Sequence, residues 1–348
     1  MGASDYYTEE LHGPQEYVDL GGFALSSGRT LPSARLAYRT FGELNAAKDN
    51  AILLAHMYSG TSGYMELFIG EDRPLDPSRY FLILPAQLGS GFGSSPSTTP
   101  PPFDRGAFPP VSIADDVRAQ HALVRDHFGI ARLALVSGWS MGGMQTYEWA
   151  VRHPEMVARA MPLAACARTP DHDKVFIDVH TELLRSDPAF NGGFYRDSAD
   201  VALGLRRHAL AFALVGTTPE MFRGEVWREL GLASLEDYVE GFVQAYFLPM
   251  DPNNLLCQAR KWRDADVGWE DGDTAAALGR ITARTIVVAF KGDAFFPPED
   301  VEADAALVPA AEFRVTGSVW GHFTMFNLRP QDTSRSTRCT PRSSPPEP

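Results

Sequence analysis

The stretch RLALVSGWSMGGMQTYEWAVRHP, residues 132–154, decides the fold. Residues 132–137 are a short, mostly apolar run, as expected of a strand buried on both faces of a parallel sheet. After Ser140 the pattern turns helical over roughly 141–153 and stops before Pro154. Between the two lies Gly138-Trp139-Ser140-Met141-Gly142, which fits G-x-S-x-G. A strand that turns straight into a helix needs small residues beside the serine. Such a turn pushes the hydroxyl out at the top of the sheet. The helix N-terminus behind it offers free N–H groups and the positive end of a dipole. In this setting Ser140 is the candidate nucleophile. A glycine-rich phosphate loop is the competing reading, but neither a dinucleotide glycine pattern nor a P-loop lysine accompanies it.

Working outward, residues 51–56 (AILLAH) and 80–85 (YFLILP) are further apolar runs bounded by turn residues, and they read as buried strands. Residues 17–24 and 33–40 read as a hairpin before them. Residues 86–110, rich in Gly, Ser and Pro, read as a long loop, and a long loop in a folded domain is usually functional. Residues 112–129 read as a helix capped by Ser112, and residues 157–165 as the next strand. Strands and helices thus alternate, the signature of an α/β fold with a mostly parallel central sheet flanked by helices. The rhythm breaks over 168–280, which carries helical patterns and no buried strand until 285–290. We expect four parts: a core over 1–167, a helical cap over 168–280, the rest of the core over 281–332, and a Pro/Ser/Arg-rich disordered tail over 333–348.

A serine hydroxyl needs a base to take its proton, and in this architecture the partners follow in the order serine, acid, histidine. Asp293 stands just past the strand 285–290, in Lys291-Gly292-Asp293. His322, in Gly321-His322 after the last strand at 311–316, is the candidate base among nine histidines. Asp293 would hold its tautomer. The oxyanion hole needs the N–H after the nucleophile, that of Met141, and another from the loop His56-Met57-Tyr58-Ser59-Gly60. Tyr58 is the candidate, with Met57 as the alternative and His56 shaping the loop. Met57, Trp139 and Phe323 are the candidate substrate-facing residues. No metal is expected, since neither H-E-x-x-H nor a Cys/His cluster occurs.

The formal net charge is −13, with 31 basic and 44 acidic residues. The absence of a basic stripe speaks against nucleic acid as a partner, and the acidic surface against an anionic membrane. No run of 18 apolar residues occurs, so no membrane span is expected. Cys166, Cys257 and Cys339 lie far apart, as suits a reducing, cytoplasmic setting.

These residues resemble the homoserine O-acetyltransferase family of the α/β-hydrolase superfamily. The resemblance runs from about residue 17 to residue 332. It is carried by Val117-Arg118-Ala119-Gln120, Ser140-Met141-Gly142-Gly143-Met144-Gln145 and Glu148-Trp149-Ala150-Val151-Arg152. Asn191-Gly192-Gly193 and Phe296-Pro297-Pro298 add to it. It implies the assignments above, a helical lid, a homodimer and acyl transfer through an acyl-Ser140 intermediate. No resident cofactor is implied, and an ester or an acyl-CoA would serve as donor.

The chain departs from the pattern where the acceptor is chosen. Homoserine-using members carry an Asp after the catalytic His to hold the ammonium, and an Arg early in the cap for the carboxylate. Here the corresponding runs are Gly321-His322-Phe323 and Phe212-Ala213-Leu214-Val215-Gly216-Thr217. Arg206, Arg207 or Arg168 could replace the arginine, and Asp178 or Glu182 the aspartate. An unpaired charge in a desolvated tunnel costs several kcal/mol. The expectation is therefore the esterase-like branch, hydrolysing small carboxylic esters or moving a short acyl group to a non-homoserine acceptor. The alternatives are true homoserine O-acetylation and a non-catalytic binding protein on the same fold. The latter would have no need to keep serine, acid and histidine together.

Overall fold

The protein is described by a computed structural model covering residues 5–71 and 73–328. The expected tail over 333–348 lies outside the described residues. Eight strands form one sheet: β1 (Glu16–Ala24), β2 (Thr30–Phe41), β3 (Ala51–Ala55), β4 (Phe81–Pro85), β5 (Leu135–Trp139), β6 (Arg159–Leu163), β7 (Arg284–Phe290) and β8 (Glu312–Thr316). Their order is β1-β2-β4-β3-β5-β6-β7-β8. β1 and β2 pair antiparallel, as do β2 and β4, while every pair from β4 to β8 is parallel. The α/β architecture expected from the alternating pattern is the one observed.

The apolar runs are buried because both faces of the sheet are covered. Along β3, Ala51, Leu53 and Ala55 belong to one hydrophobic cluster, and Ile52 and Leu54 to a second. β4 repeats this with Phe81 and Ile83 against Leu82 and Leu84. Side chains alternate across a strand, so a continuous apolar run feeds two cores at once.

The helices that matter for the site are α1 (Ile113–His121), α2 (Met141–Arg152), α3 (Asp171–Arg185), α4 (Ala202–Gly216), α5 (Pro252–Arg263) and α6 (Pro298–Leu307). Ser112 caps α1 in a reciprocal capping box with Asp115. The helix expected over 112–129 then widens into a π turn at Ala122–His127. Between β6 and β7 the chain is helical, with α3 packed against both α4 and α5. No helix among the described residues is long and apolar enough to cross a membrane.

The long Gly/Ser/Pro-rich loop after β4 is buried over residues 86–95. Its backbone finds partners inside: Leu88 N–H donates to Asp116 Oδ1 (2.8 Å) and Gly91 N–H to Ser95 Oγ (2.8 Å). Buried peptide groups are tolerable only when paired in this way.

Candidate active site

Ser140 lies between β5 and α2 with φ 56° and ψ −129°, a conformation that a residue with a Cβ rarely adopts. It is held there from both sides. Its N–H donates to Leu163 O (2.9 Å), and its carbonyl accepts from Gly143 N (2.8 Å) and Met144 N (3.1 Å). The flanking glycines are needed for close approach: a Cβ on Gly138 would stand 2.5 Å from Ala55 O, and one on Gly142 would collide with the same carbonyl. A serine at a helix N-cap ordinarily spends its hydroxyl on the first-turn N–H groups. Ser140 makes no such bond, so its hydroxyl is free of capping duty.

Asp293 follows β7, and His322 lies in a short 3-10 turn, Gly321–Phe326, after β8, where a loop was expected. His322 Nδ1 donates to Asp293 Oδ2 at 2.6 Å, and both side chains are buried. The carboxylate only accepts, so Nδ1 carries the hydrogen and Nε2 of the neutral ring keeps its lone pair. Asp293 Oδ1 accepts from Phe295 N (2.9 Å) and Phe296 N (3.1 Å), which fixes the carboxylate plane. The Phe295 ring packs edge-on against His322 with centroids 4.9 Å apart. Ser140, Asp293 and His322 thus follow the C-terminal ends of β5, β7 and β8, at one edge of the sheet.

Met141 opens α2, so its N–H has no carbonyl one turn back and is free for an oxyanion. The loop after β3 turns at Met57–Gly60, closed by Gly60 N to Met57 O (3.2 Å). Tyr58 is tied to α4. Its hydroxyl donates to His208 Nε2 at 3.2 Å, while His208 Nδ1 donates to His180 O at 3.1 Å. Burial pushes His208 down to about 4, which keeps it neutral and able to accept. The Tyr58 ring also stacks on Phe212 of α4, with centroids 5.7 Å apart.

Phe323 joins Tyr58 and Met141 in the first cluster, stacked on Phe212 at 5.9 Å and pressed against Gly216. Met57 and Trp139 are buried in the second cluster, Trp139 edge-on to Phe68 at 4.7 Å. Phe323 thus packs in a different hydrophobic cluster from these two. The substitute charges are spent elsewhere. Arg263 pairs with Asp178, Arg185 with Glu182 and Arg168 with Asp266, and Arg207 donates to Ser186. Arg206 is exposed.

Sequence reasoning missed His208 and the aromatic wall of Phe176, Phe212, Trp262 and Phe295. It also missed Asp173 on α3, a buried carboxyl 3.5 Å from the exposed His172 ring. Burial, with the charges of Asp293 and Asp300 adding, pushes Asp173 from its ordinary 3.8 up to about 9. Between those values the unfolded chain holds Asp173 ionised and the folded protein keeps its proton. Stability therefore falls as pH rises, from the ordinary value until the folded-state group ionises near 9. Asp173→Asn is expected to flatten this slope in thermal denaturation across that range. An unchanged slope would mean that the proton is not retained.

The profile of the alpha/beta hydrolase fold family matches residues 50–327. An ethyl acetate hydrolase from Pseudomonas veronii is 47% identical over 330 residues, covering 94% of this chain and 95% of that protein. The crystal structure of an acetylester hydrolase from Corynebacterium glutamicum superposes with a TM-score of 0.93 at 43% identity, covering 97% of this chain and 99% of that one. A homoserine O-acetyltransferase from Leifsonia xyli subsp. xyli is 34% identical over 342 residues, covering 89% and 85%. The chain belongs to the alpha/beta hydrolase family, in the branch that holds these esterases, with the homoserine O-acetyltransferases as more distant relatives.

Proposed function

We propose that the protein hydrolyses small neutral carboxylic esters, acetate esters of short alcohols foremost, through an acyl-enzyme on Ser140. The observation that carries this reading is Phe323, stacked on Phe212 beside the His322–Asp293 pair. The position after the base is thereby filled by an apolar ring. The likeness to an ethyl acetate hydrolase supports the same substrate class.

In this mechanism His322 Nε2 takes the Ser140 hydroxyl proton as Oγ attacks the ester carbonyl. The N–H groups of Met141 and Tyr58 receive the oxyanion. Collapse of the tetrahedral intermediate expels the alcohol, which takes the proton from His322. Water, deprotonated by His322, then repeats the attack on the acyl-serine and releases the acid.

Homoserine is expected neither to compete with a neutral ester nor to be acetylated at millimolar concentration. Its ammonium would lose hydration for no counter-charge. The test follows free thiol, acetate and O-acetylhomoserine from acetyl-CoA or a small activated ester, with and without homoserine, in wild type and Phe323→Asp. Wild-type acetylation of homoserine faster than ester hydrolysis would restore the transferase assignment.

We further infer a homodimer in a reducing, cytoplasmic setting. Val175 and Val179 on α3 and Leu210 and Leu214 on α4 stand exposed in i, i+4 pairs, Val175 at 65% and Leu214 at 72%. Exposed apolar faces of this kind mark association surfaces. Cys166 and Cys257 are free thiols. Sedimentation should give a dimer for wild type and a monomer for Val175→Asp with Leu214→Asp; a wild-type monomer would refute the assembly.

A further inference from the structure

The side chain of Lys261, on α5, is completely buried, and each of its three donors has an acceptor. It donates to Asp116 Oδ2 (2.6 Å) on α1, to Leu88 O (2.9 Å) and to Gln87 Oε1 (3.0 Å). An ammonium has three hydrogens, so the group is saturated by geometry. Gln87 carries the contact onward. Its Nε2 donates to His56 O at 2.6 Å. The His56 ring, kept neutral by burial, donates from Nδ1 to Met57 O at 2.9 Å, and that carbonyl also accepts Gly60 N.

Both carbonyls held here belong to the peptide groups of the candidate oxyanion loop. In a planar trans peptide the N–H points opposite to the C=O. Holding His56 O therefore aims the Met57 N–H, and holding Met57 O aims the Tyr58 N–H. These are the two candidate donors of the second oxyanion contact.

We propose that Lys261 and Gln87 are positioning residues for the oxyanion hole, transmitting the anchor at Asp116 to the Met57 and Tyr58 N–H groups. The inference rests on reading that loop as the oxyanion site. It gives the buried ion pair a catalytic consequence beyond joining α5 to α1. The charge on Lys261 polarises the Gln87 amide, which strengthens its bond to His56 O. The loop is thereby stiffened at the atoms that must meet a developing negative charge.

The direct variant, Lys261→Met, leaves Asp116 buried without a partner and can fail to fold. Two variants avoid this. Gln87→Met keeps the Lys261–Asp116 pair while removing the donor to His56 O and, with it, one of the three acceptors of Lys261. Lys261→Met combined with Asp116→Asn removes both charges together. Removing an oxyanion donor outright costs about 10²–10³-fold in kcat, so misaiming one is expected to cost about 10–50-fold. For Gln87→Met we expect that loss in kcat with KM little changed. Affinity for a small alkylboronic acid, which becomes tetrahedral on the serine, should fall by the same factor. Affinity for the neutral product alcohol should hold. The double variant should show the same pattern together with a lower thermal midpoint.

A Gln87→Met protein with wild-type kcat and wild-type boronate affinity would overturn the proposal, leaving the ion pair as a fastener only. So would a loss confined to KM. The boronate measurement needs no ester turnover. A wild type that binds boronate but hydrolyses no ester would therefore defeat the esterase reading while still deciding this one. A wild type that binds no boronate would defeat both.

Discussion

Ser140→Ala is expected to lower turnover by about 10⁶-fold while leaving the thermal midpoint unchanged. The two halves of this expectation have separate causes. The hydroxyl makes no capping bond to α2, so removing it takes nothing from the fold. The strained backbone at φ 56° is held by Leu163, Gly143 and Met144 through main-chain atoms, which alanine keeps. Without Oγ, however, no acyl-enzyme forms, and only the oxyanion donors remain to act on water's attack. A fluorophosphonate should label wild type at Ser140 and leave the variant untouched, as read by intact mass. A variant that kept full activity would remove the covalent mechanism.

Asp293→Asn is expected to lower kcat by about 10⁴-fold. The amide can turn its NH2 group toward His322 Nδ1, and the ring would then carry its hydrogen on Nε2, the nitrogen that must accept the serine proton. Asp293 Oδ1 already receives Phe295 N and Phe296 N, which argues against a compensating flip. His322→Ala should do comparable damage. The double variant should be little worse than either single one, because the residues act as a unit. Losses that multiplied would show instead that the two work independently.

The parts of the site that could be read from the chain are those built within short stretches. Gly138 to Gly142 reveal themselves because strand, turn and helix are contiguous. Asp293 and His322 reveal themselves because each sits just past a strand. Lys261 lies in Ala259-Arg260-Lys261-Trp262-Arg263, which reads as an ordinary charged helix end. Its acceptors are 145 to 174 residues away, and only the packing of α5 onto the loop after β4 brings them together. The same holds for His208, one of nine histidines, whose meaning comes from Tyr58 150 residues earlier. The burial of the loop after β4 was not legible for a related reason. Its Gly, Ser and Pro content reports turning backbone, whereas its burial depends on Asp116 and on the helices above it. Met57 and Trp139 stand beside candidate site positions in sequence and pack in a different cluster from Phe323, which only the folded chain shows.

The ring of Phe212 stacks on both the Tyr58 ring and the Phe323 ring. A single residue of α4 thus packs against both the segment that would receive the oxyanion and the segment that would carry the base. Lifting α4 would unseat both at once. An ester whose alcohol is too bulky for α4 to seat would then suffer twice, binding weakly and turning over slowly once bound. Selection by size would be felt in kcat as well as in KM. α4 would then act as an interlock, arming the chemistry only around a cargo small enough to be enclosed.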